Sequence, residues 1–166
     1  MLRISKIIDY GTLILTHMAG TPDRVISAAE LASALGLGPA TVSKVLKSLG
    51  QNGLVTSTRG SRGGYSLARP ANQINIAQII DALDDQPFGL TECTSTPGVC
   101  SVEADCHIRS NWERINAIVR RTLEGVTVAD MVCPVVDEPI TFHKSRKSAN
   151  TVGSGMQTCS LGMEST

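Results

Sequence analysis

The stretch that most restricts the fold runs from Ser27 to Leu67: SAAELASALGLGPATVSKVLKSLGQNGLVTSTRGSRGGYSL. Ser27 followed three residues later by Glu30 is a capping box, in which hydroxyl and carboxylate satisfy free amides at a helix start. It predicts a short helix to about Leu35, ended by Gly36. Pro39 suits the first turn of a second helix, where its missing N–H is not needed, and Val42, Val45, Leu46 and Leu49 give that helix one apolar face. Asn52-Gly53 stops it. Leu54 to Thr58 and Tyr65 to Leu67 then read as two strands joined by a Gly-rich turn, Arg59 to Gly64.

Three spacings tie the two short helices together. Ala32 is small where they must cross, Gly36 lies four residues later in the turn, and Val42 lies ten residues after Ala32 to pack one helix on the other. Two such helices followed by a hairpin with a basic tip form a winged helix-turn-helix. Elsewhere, Ile4 to Ala19 reads as a first helix, broken by GTPDR, and Asn75 caps a short helix carrying Ile76, Ile79, Ile80 and Leu83. A longer helix, about Ser110 to Glu124, aligns Trp112, Ile115, Val119 and Leu123 on one stripe before Gly125, and a short segment, Thr127 to Met131, follows. The fold class is therefore mainly α with a small β-hairpin wing. Its expected parts are a winged helix-turn-helix over 1–85, a cysteine loop over 86–109, a long helix with its end segment over 110–133, and a disordered Ser/Thr/Gly-rich tail over 134–166.

Only five of the 166 residues are aromatic, so a core here must be aliphatic, which agrees with a helical fold. No apolar run reaches the roughly 18 residues that span a bilayer, and the start lacks a signal peptide's pattern, so the reading is a soluble cytoplasmic protein. The formal net charge of zero conceals an asymmetry. Residues 1–80 carry 8 basic against 3 acidic groups, whereas residues 81–133 carry 4 against 9. The basic half is where a polyanion binds. Thr41, Ser43, Lys44 and Lys47 on the second short helix suit base edges and phosphates in a major groove, and Arg59 and Arg62 on the wing suit a minor groove. Double-stranded DNA is the expected partner, with the wing glycines letting the backbone approach it. Tyr65 is expected to pack the wing.

The acidic half contains ECTSTPGVCSVEADCH, Glu92 to His107, which has neither helical nor strand period. Five cysteines is an odd number, and without a sign of secretion a disulfide framework explains them poorly. Cys93, Cys100 and Cys106, spaced C-x6-C-x5-C, sit on linkers long enough to converge on an iron-sulfur cluster, for which thiolates are the usual ligands. Structural zinc prefers tighter pairs, and a thiol redox switch is the other reading. Cys133 and Cys159 receive no ligand role. No catalytic triad or P-loop is visible, so the chain is not expected to be an enzyme or to take a small-molecule substrate. A small iron-sulfur electron carrier or scaffold is the alternative from another class, but it would not need a winged helix or a basic half.

The NGLV and TRGSRGGY segments, with a three-cysteine loop ahead of a Trp-containing helix, resemble the iron-sulfur-sensing bacterial repressors that include IscR, NsrR and the regulators of SUF cluster-assembly operons. The resemblance covers about residues 1–133. It implies a homodimer paired along the Trp112, Ile115, Val119 and Leu123 stripe, a palindromic operator, and an affinity that depends on the cluster. TLEGVTVADM is similar to the SUF branch, which implies a repressor of cluster-assembly genes; a nitric-oxide or redox sensor of the same fold is the alternative. In the IscR branch a histidine three residues after the third cysteine supplies a fourth ligand, but Arg109 stands there and His107 is displaced. In the NsrR branch a first-helix aspartate from the partner subunit does so, and Asp9 falls at the matching place. Both Asp9 and His107 are candidates, Asp9 slightly favoured, and [4Fe-4S] and [2Fe-2S] both stay open. Ser43 stands where some relatives carry a carboxylate that makes site choice depend on cluster state.

Overall fold

The computed structural model describes residues 4–22, 24–60 and 63–132. Arg62, Cys133, Cys159 and the 134–166 tail lie outside the described residues. Seven α-helices and a two-stranded antiparallel sheet are present among those described: α1 (Lys6–Ala19), α2 (Ala28–Leu35), α3 (Pro39–Gln51), β1 (Val55–Thr58), β2 (Gly64–Leu67), α4 (Ile76–Leu83), α5 (Glu92–Ser95), α6 (Arg109–Glu124) and α7 (Val128–Val132). The mainly α class with a β-hairpin wing is the one the sequence implies.

Local chemistry accounts for most of the boundaries. The Ser27–Glu30 capping box forms in both directions, and Asn75 with Gln78 makes a second one at α4. Gly36 closes α2 at φ 64°, in the left-handed region that glycine occupies without a Cβ penalty. The first helix begins at Lys6 rather than Ile4, because the Ser5 hydroxyl accepts the Ile8 amide at 3.4 Å and leaves Ile4 before the cap. The cysteine loop is more regular than its sequence suggests. Glu92–Ser95 forms one helical turn, started by Thr91, whose carbonyl accepts the Thr94 hydroxyl at 2.9 Å, and Glu103–Asp105 forms a 3-10 turn.

The core is where Ala32 and the α3 face meet the first helix. Ile14, Leu15, Leu31, Val42, Val45, Leu46 and Leu49 are fully buried, and Ala32 is nearly so. Burial of a Val or Leu side chain is worth about 1.5–3 kcal/mol, so this aliphatic knot dominates the stability of the helix-turn-helix. The wing is fastened to it. β1 and β2 pair with Val55 opposite Leu67 and Ser57 opposite Tyr65, and Ile26 exchanges two backbone hydrogen bonds with Tyr65, at 2.9 and 2.8 Å. Tyr65 is half-buried against the core, so it packs the wing as expected.

Two of the wing glycines, Gly63 and Gly64, are required for packing inside the protein, in addition to the expected role of letting the backbone approach DNA. A Cβ on Gly64 would lie 2.6 Å from the Ile26 carbonyl oxygen, and one on Gly63 would lie 2.5 Å from that of Thr58. Gly64→Ala is therefore expected to cost about 1–3 kcal/mol, since backbone cannot step aside as a flexible side chain can. Thermal denaturation followed by circular dichroism measures it; an unchanged midpoint would contradict this close approach.

The C-terminal half of the described chain wraps back onto the first half. Ile76 donates to the Val126 carbonyl at 2.9 Å and Val128 to that of Ile74 at 2.8 Å, which seats the fully buried Val128 against α1 and the 71–74 turn ahead of α4. Arg120 grips Asp81 of α4 through two hydrogen bonds, one of 2.7 Å, and also Glu124 at 3.0 Å, while its guanidinium lies over the Phe88 ring. The Asp81 carboxylate holds the Arg120 guanidinium well above its ordinary pKa. These contacts fix one side of α6; none of its residues is buried.

Candidate functional site: nucleic-acid interface and cysteine loop

The α3 helix buries Val42, Val45, Leu46 and Leu49 and by the same periodicity turns Ser43, Lys44 and Lys47 outward. Thr41, in the first turn, is half-buried. Arg59 is exposed just after β1, as Lys44 and Lys47 are on α3. Between the C-terminal half of α3 and the hairpin runs a groove of ≈ 620 Å³, lined by Lys47, Gln51, Thr56, Ser57 and Tyr65 among others. The exposed side chains of Gln51, Thr56 and Ser57 supply neutral donors that suit phosphate oxygens. Sequence reading missed these three, although the polar run that follows buried Val55 on β1 is exposed throughout.

The cysteine loop is built against α6. Gly89 lies so close to the Ser95 backbone that a Cβ there would overlap it, and the Leu90 amide donates to Asn116 of α6 at 3.1 Å. Those contacts seat α5, and with it Cys93, beside α6. The Cys93 sulfur lies 3.2 Å from the Thr91 hydroxyl. Cys100 and Cys106 flank the 3-10 turn, each accepting or donating a backbone hydrogen bond with Glu103, at 3.1 and 3.4 Å. All three thiols are free and half-buried.

The chain does not gather these thiols on one point: among the described residues no three His, Cys, Asp or Glu side chains stand close enough together to hold a metal ion. The donor chemistry nonetheless suits iron, since three reduced, partly sheltered thiols lie on one short segment. His107 and Asp9 are both exposed. Asp9 lines a groove of ≈ 830 Å³ with Ile4, Ile8, Ile76, Leu123 and Met131, at the far end of α6 from the loop. A second groove, ≈ 670 Å³, joins Ile4 and Ile8 to Phe88, Leu90, Glu92, Ser95 and Trp112. The start of α1 thus stands between the sulfur loop and the region of Asp9.

Of the apolar stripe on α6, Trp112 and Ile115 are exposed, while Val119 and Leu123 are half-buried. Ile108 and Ile118 are more exposed still, at 56% and 53%, and widen the stripe to a face that the sequence pattern had understated. Ile118 stands three residues after Ile115, a helical spacing that could have found it.

Known proteins share this fold. An HTH-type transcriptional regulator assigned in Aquifex aeolicus (strain VF5) is 29% identical over 144 residues, covering 86% of this chain and 98% of that one. The solved structure of IscR from T. potens superposes with a TM-score of 0.62 at 27% identity, over 79% of this chain and 86% of the other. CymR (YrzC), the global cysteine regulator of B. subtilis, gives 0.61 at 26% identity, over 80% and 97%. The fold is that of DNA-binding transcription regulators rather than enzymes, and among the described residues no helix is long and apolar enough to cross a membrane. Residues 4–134 match the profile of iron-dependent transcriptional regulators, and with the winged helix, the exposed α3 face and the wing in place, the chain belongs to the Rrf2 family.

Proposed function

We propose that this chain is an iron-sulfur-dependent repressor that binds a palindromic operator as a homodimer and controls SUF cluster-assembly genes. The observation that carries the reading is that three free, half-buried thiols lie on one loop seated against α6. Cys93, Cys100 and Cys106 would hold the cluster, with Asp9 of a partner subunit or His107 completing it. When bound, an iron-sulfur cluster supplies a crosslink among thiolates that oxidants and iron loss can remove.

The chain's own residues supply the rest. Trp112, Ile115 and Ile118 leave an apolar face on α6 that a second copy covers, with Val119 and Leu123 at its border. Asn116 and Gly89 couple the loop to α6, and Arg120 couples α6 to α4, which packs on α3. A change in loop position therefore biases the spacing of the two reading helices and shifts the population of dimers able to bind DNA. Lys44, Lys47 and Arg59 contact the duplex in this reading.

A second reading is favoured by the similarity to a cysteine regulator: the same thiols respond to oxidants with no metal. Anaerobic purification with visible and Mössbauer spectroscopy, and with iron and sulfide counted per chain, separates the two. Iron and sulfide in near-equal amounts are expected. A colourless, iron-free protein whose DNA affinity changes on reversible disulfide formation would overturn the cluster reading in favour of the second.

A further inference from the structure

The residue that occupies the third position after Cys106 is neither a ligand type nor a good helix starter. Arg109 is the first residue of α6, where a positive charge opposes the helix dipole, and no acidic side chain lies in that first turn to offset it. Its guanidinium is nevertheless held in place. Nη1 lies 2.8 Å from Glu103 Oε1, and Nε donates to Glu113 Oε1 at 2.9 Å. The second Glu103 oxygen, Oε2, accepts the Gly98 amide at 2.7 Å. Glu103 is 11% exposed, the most sheltered carboxylate among the ion pairs of the described residues. Gly98 itself adopts φ 88°, a left-handed turn that aims its amide at that carboxylate without a Cβ penalty.

These contacts form one chain, Gly98 to Glu103 to Arg109 to Glu113. It joins the interval between Cys93 and Cys100, the interval between Cys100 and Cys106, and the first turns of α6. The guanidinium is raised above its ordinary pKa by the Glu113 hydrogen bond and then by the Glu103 charge. A charge-assisted link across two loop intervals restricts the loop's conformations before anything binds to it, and lowers the entropy lost when the thiols are brought together.

We propose that Arg109 and Glu103 form a clamp that sets the spacing of the three thiol-bearing segments, so that Arg109 acts as a positioning residue where relatives of the IscR branch use a ligand. The proposal deepens the sensing role suggested above for the loop, and it is testable without any bound metal. The full-length, reduced, cluster-free chain is compared with Arg109→Ala, Arg109→Lys and Glu103→Gln by amide hydrogen exchange, by iodoacetamide alkylation of each cysteine, and by thermal denaturation. Arg109→Ala and Glu103→Gln are expected to speed exchange over 96–106 by about fivefold, to speed alkylation of Cys100 and Cys106, and to leave the α3 core and the denaturation midpoint unchanged. Arg109→Lys, which keeps one of the two ion pairs, is expected to restore part of the protection. Unchanged exchange over 96–106, or acceleration spread evenly over the whole chain, overturns the clamp. After anaerobic reconstitution with iron and sulfide, the same variants should release iron to a chelator faster than wild type. A wild-type chain that takes up no iron but shows the localised exchange result leaves the clamp standing and overturns the iron-sulfur reading alone.

Discussion

Lys44→Ala and Arg59→Ala are expected to weaken DNA binding in different ways. Lys44 projects from the solvent face of α3, beside Lys47, with no carboxylate paired to it among the described residues. As a phosphate contact its loss lowers affinity for all sequences alike, and it reduces the salt-dependence slope by about 0.9 for each subunit that makes the contact. Arg59 leaves the end of β1 on a hairpin pinned to Ile26, so its backbone is held while its side chain is free to enter a groove. Its removal should cost about 1–3 kcal/mol of operator affinity and relax preference at the bases it meets. The pair together should lose roughly 10²-fold or more at moderate salt. Fluorescence anisotropy with a duplex that the protein selects from a random pool, titrated across a salt series, measures both effects. Arg114→Ala, on α6, serves as the control. Equal affinity and equal slope for the double variant and wild type would remove α3 and the wing from the interface.

Cys100→Ala is expected to reduce bound iron and sulfide to background after anaerobic reconstitution, with the far-ultraviolet circular dichroism and denaturation midpoint retained. The separation is possible because, among the described residues, no cysteine contributes to the buried core, which is built from apolar residues of α1 to α4 and β1, with Ile26, Leu54, Ile74 and Val128. Removing one of three thiolates deletes a strong, charged donor from the cluster's binding set, a loss that a neighbouring oxygen ligand does not replace. Cys93→Ala and Cys106→Ala should behave alike, whereas Cys133→Ser and Cys159→Ser should keep their iron. Asp9→Ala and His107→Ala then divide the remaining choice: the fourth ligand is the one whose loss makes the iron labile. Cys100→Ala that retains full iron and its visible spectrum would sink the assignment of the loop.

What could be read from the sequence followed the strength of the local chemistry. Ser27 with Glu30, Pro39, Asn75 and Gly36 each satisfy or remove a specific backbone group, and all four mark element ends in the structure. Ser5 and Thr91 do similar work but lack a clear signal: Ser5 sits inside an apolar stretch that already begins at Ile4, and Thr91 precedes a single polar turn. The wing glycines illustrate a different limit. Their spacing signalled a tight hairpin, but only the fold reveals that Ile26, nearly forty residues earlier in the chain than Gly64, closes on the strand. The Gly98–Glu103–Arg109 contacts are equally hidden, since a loop ion pair carries no periodicity in the sequence. The fourth ligand stayed open for a related reason: a donor from a second subunit leaves no spacing in the sequence at all.

A helix sixteen residues long with no buried residue has a consequence at the scale of the cell. Such a helix is marginal by itself in water and gains stability when its apolar face is covered. In the proposed dimer that cover is another copy of the chain, so the order of α6 follows mass action and depends on how many copies are present. A fall in copy number would then drive the dimer toward dissociation, and the loop that rests on α6 would loosen with it. Copy number becomes a second input, read by the same helix that supports the thiols.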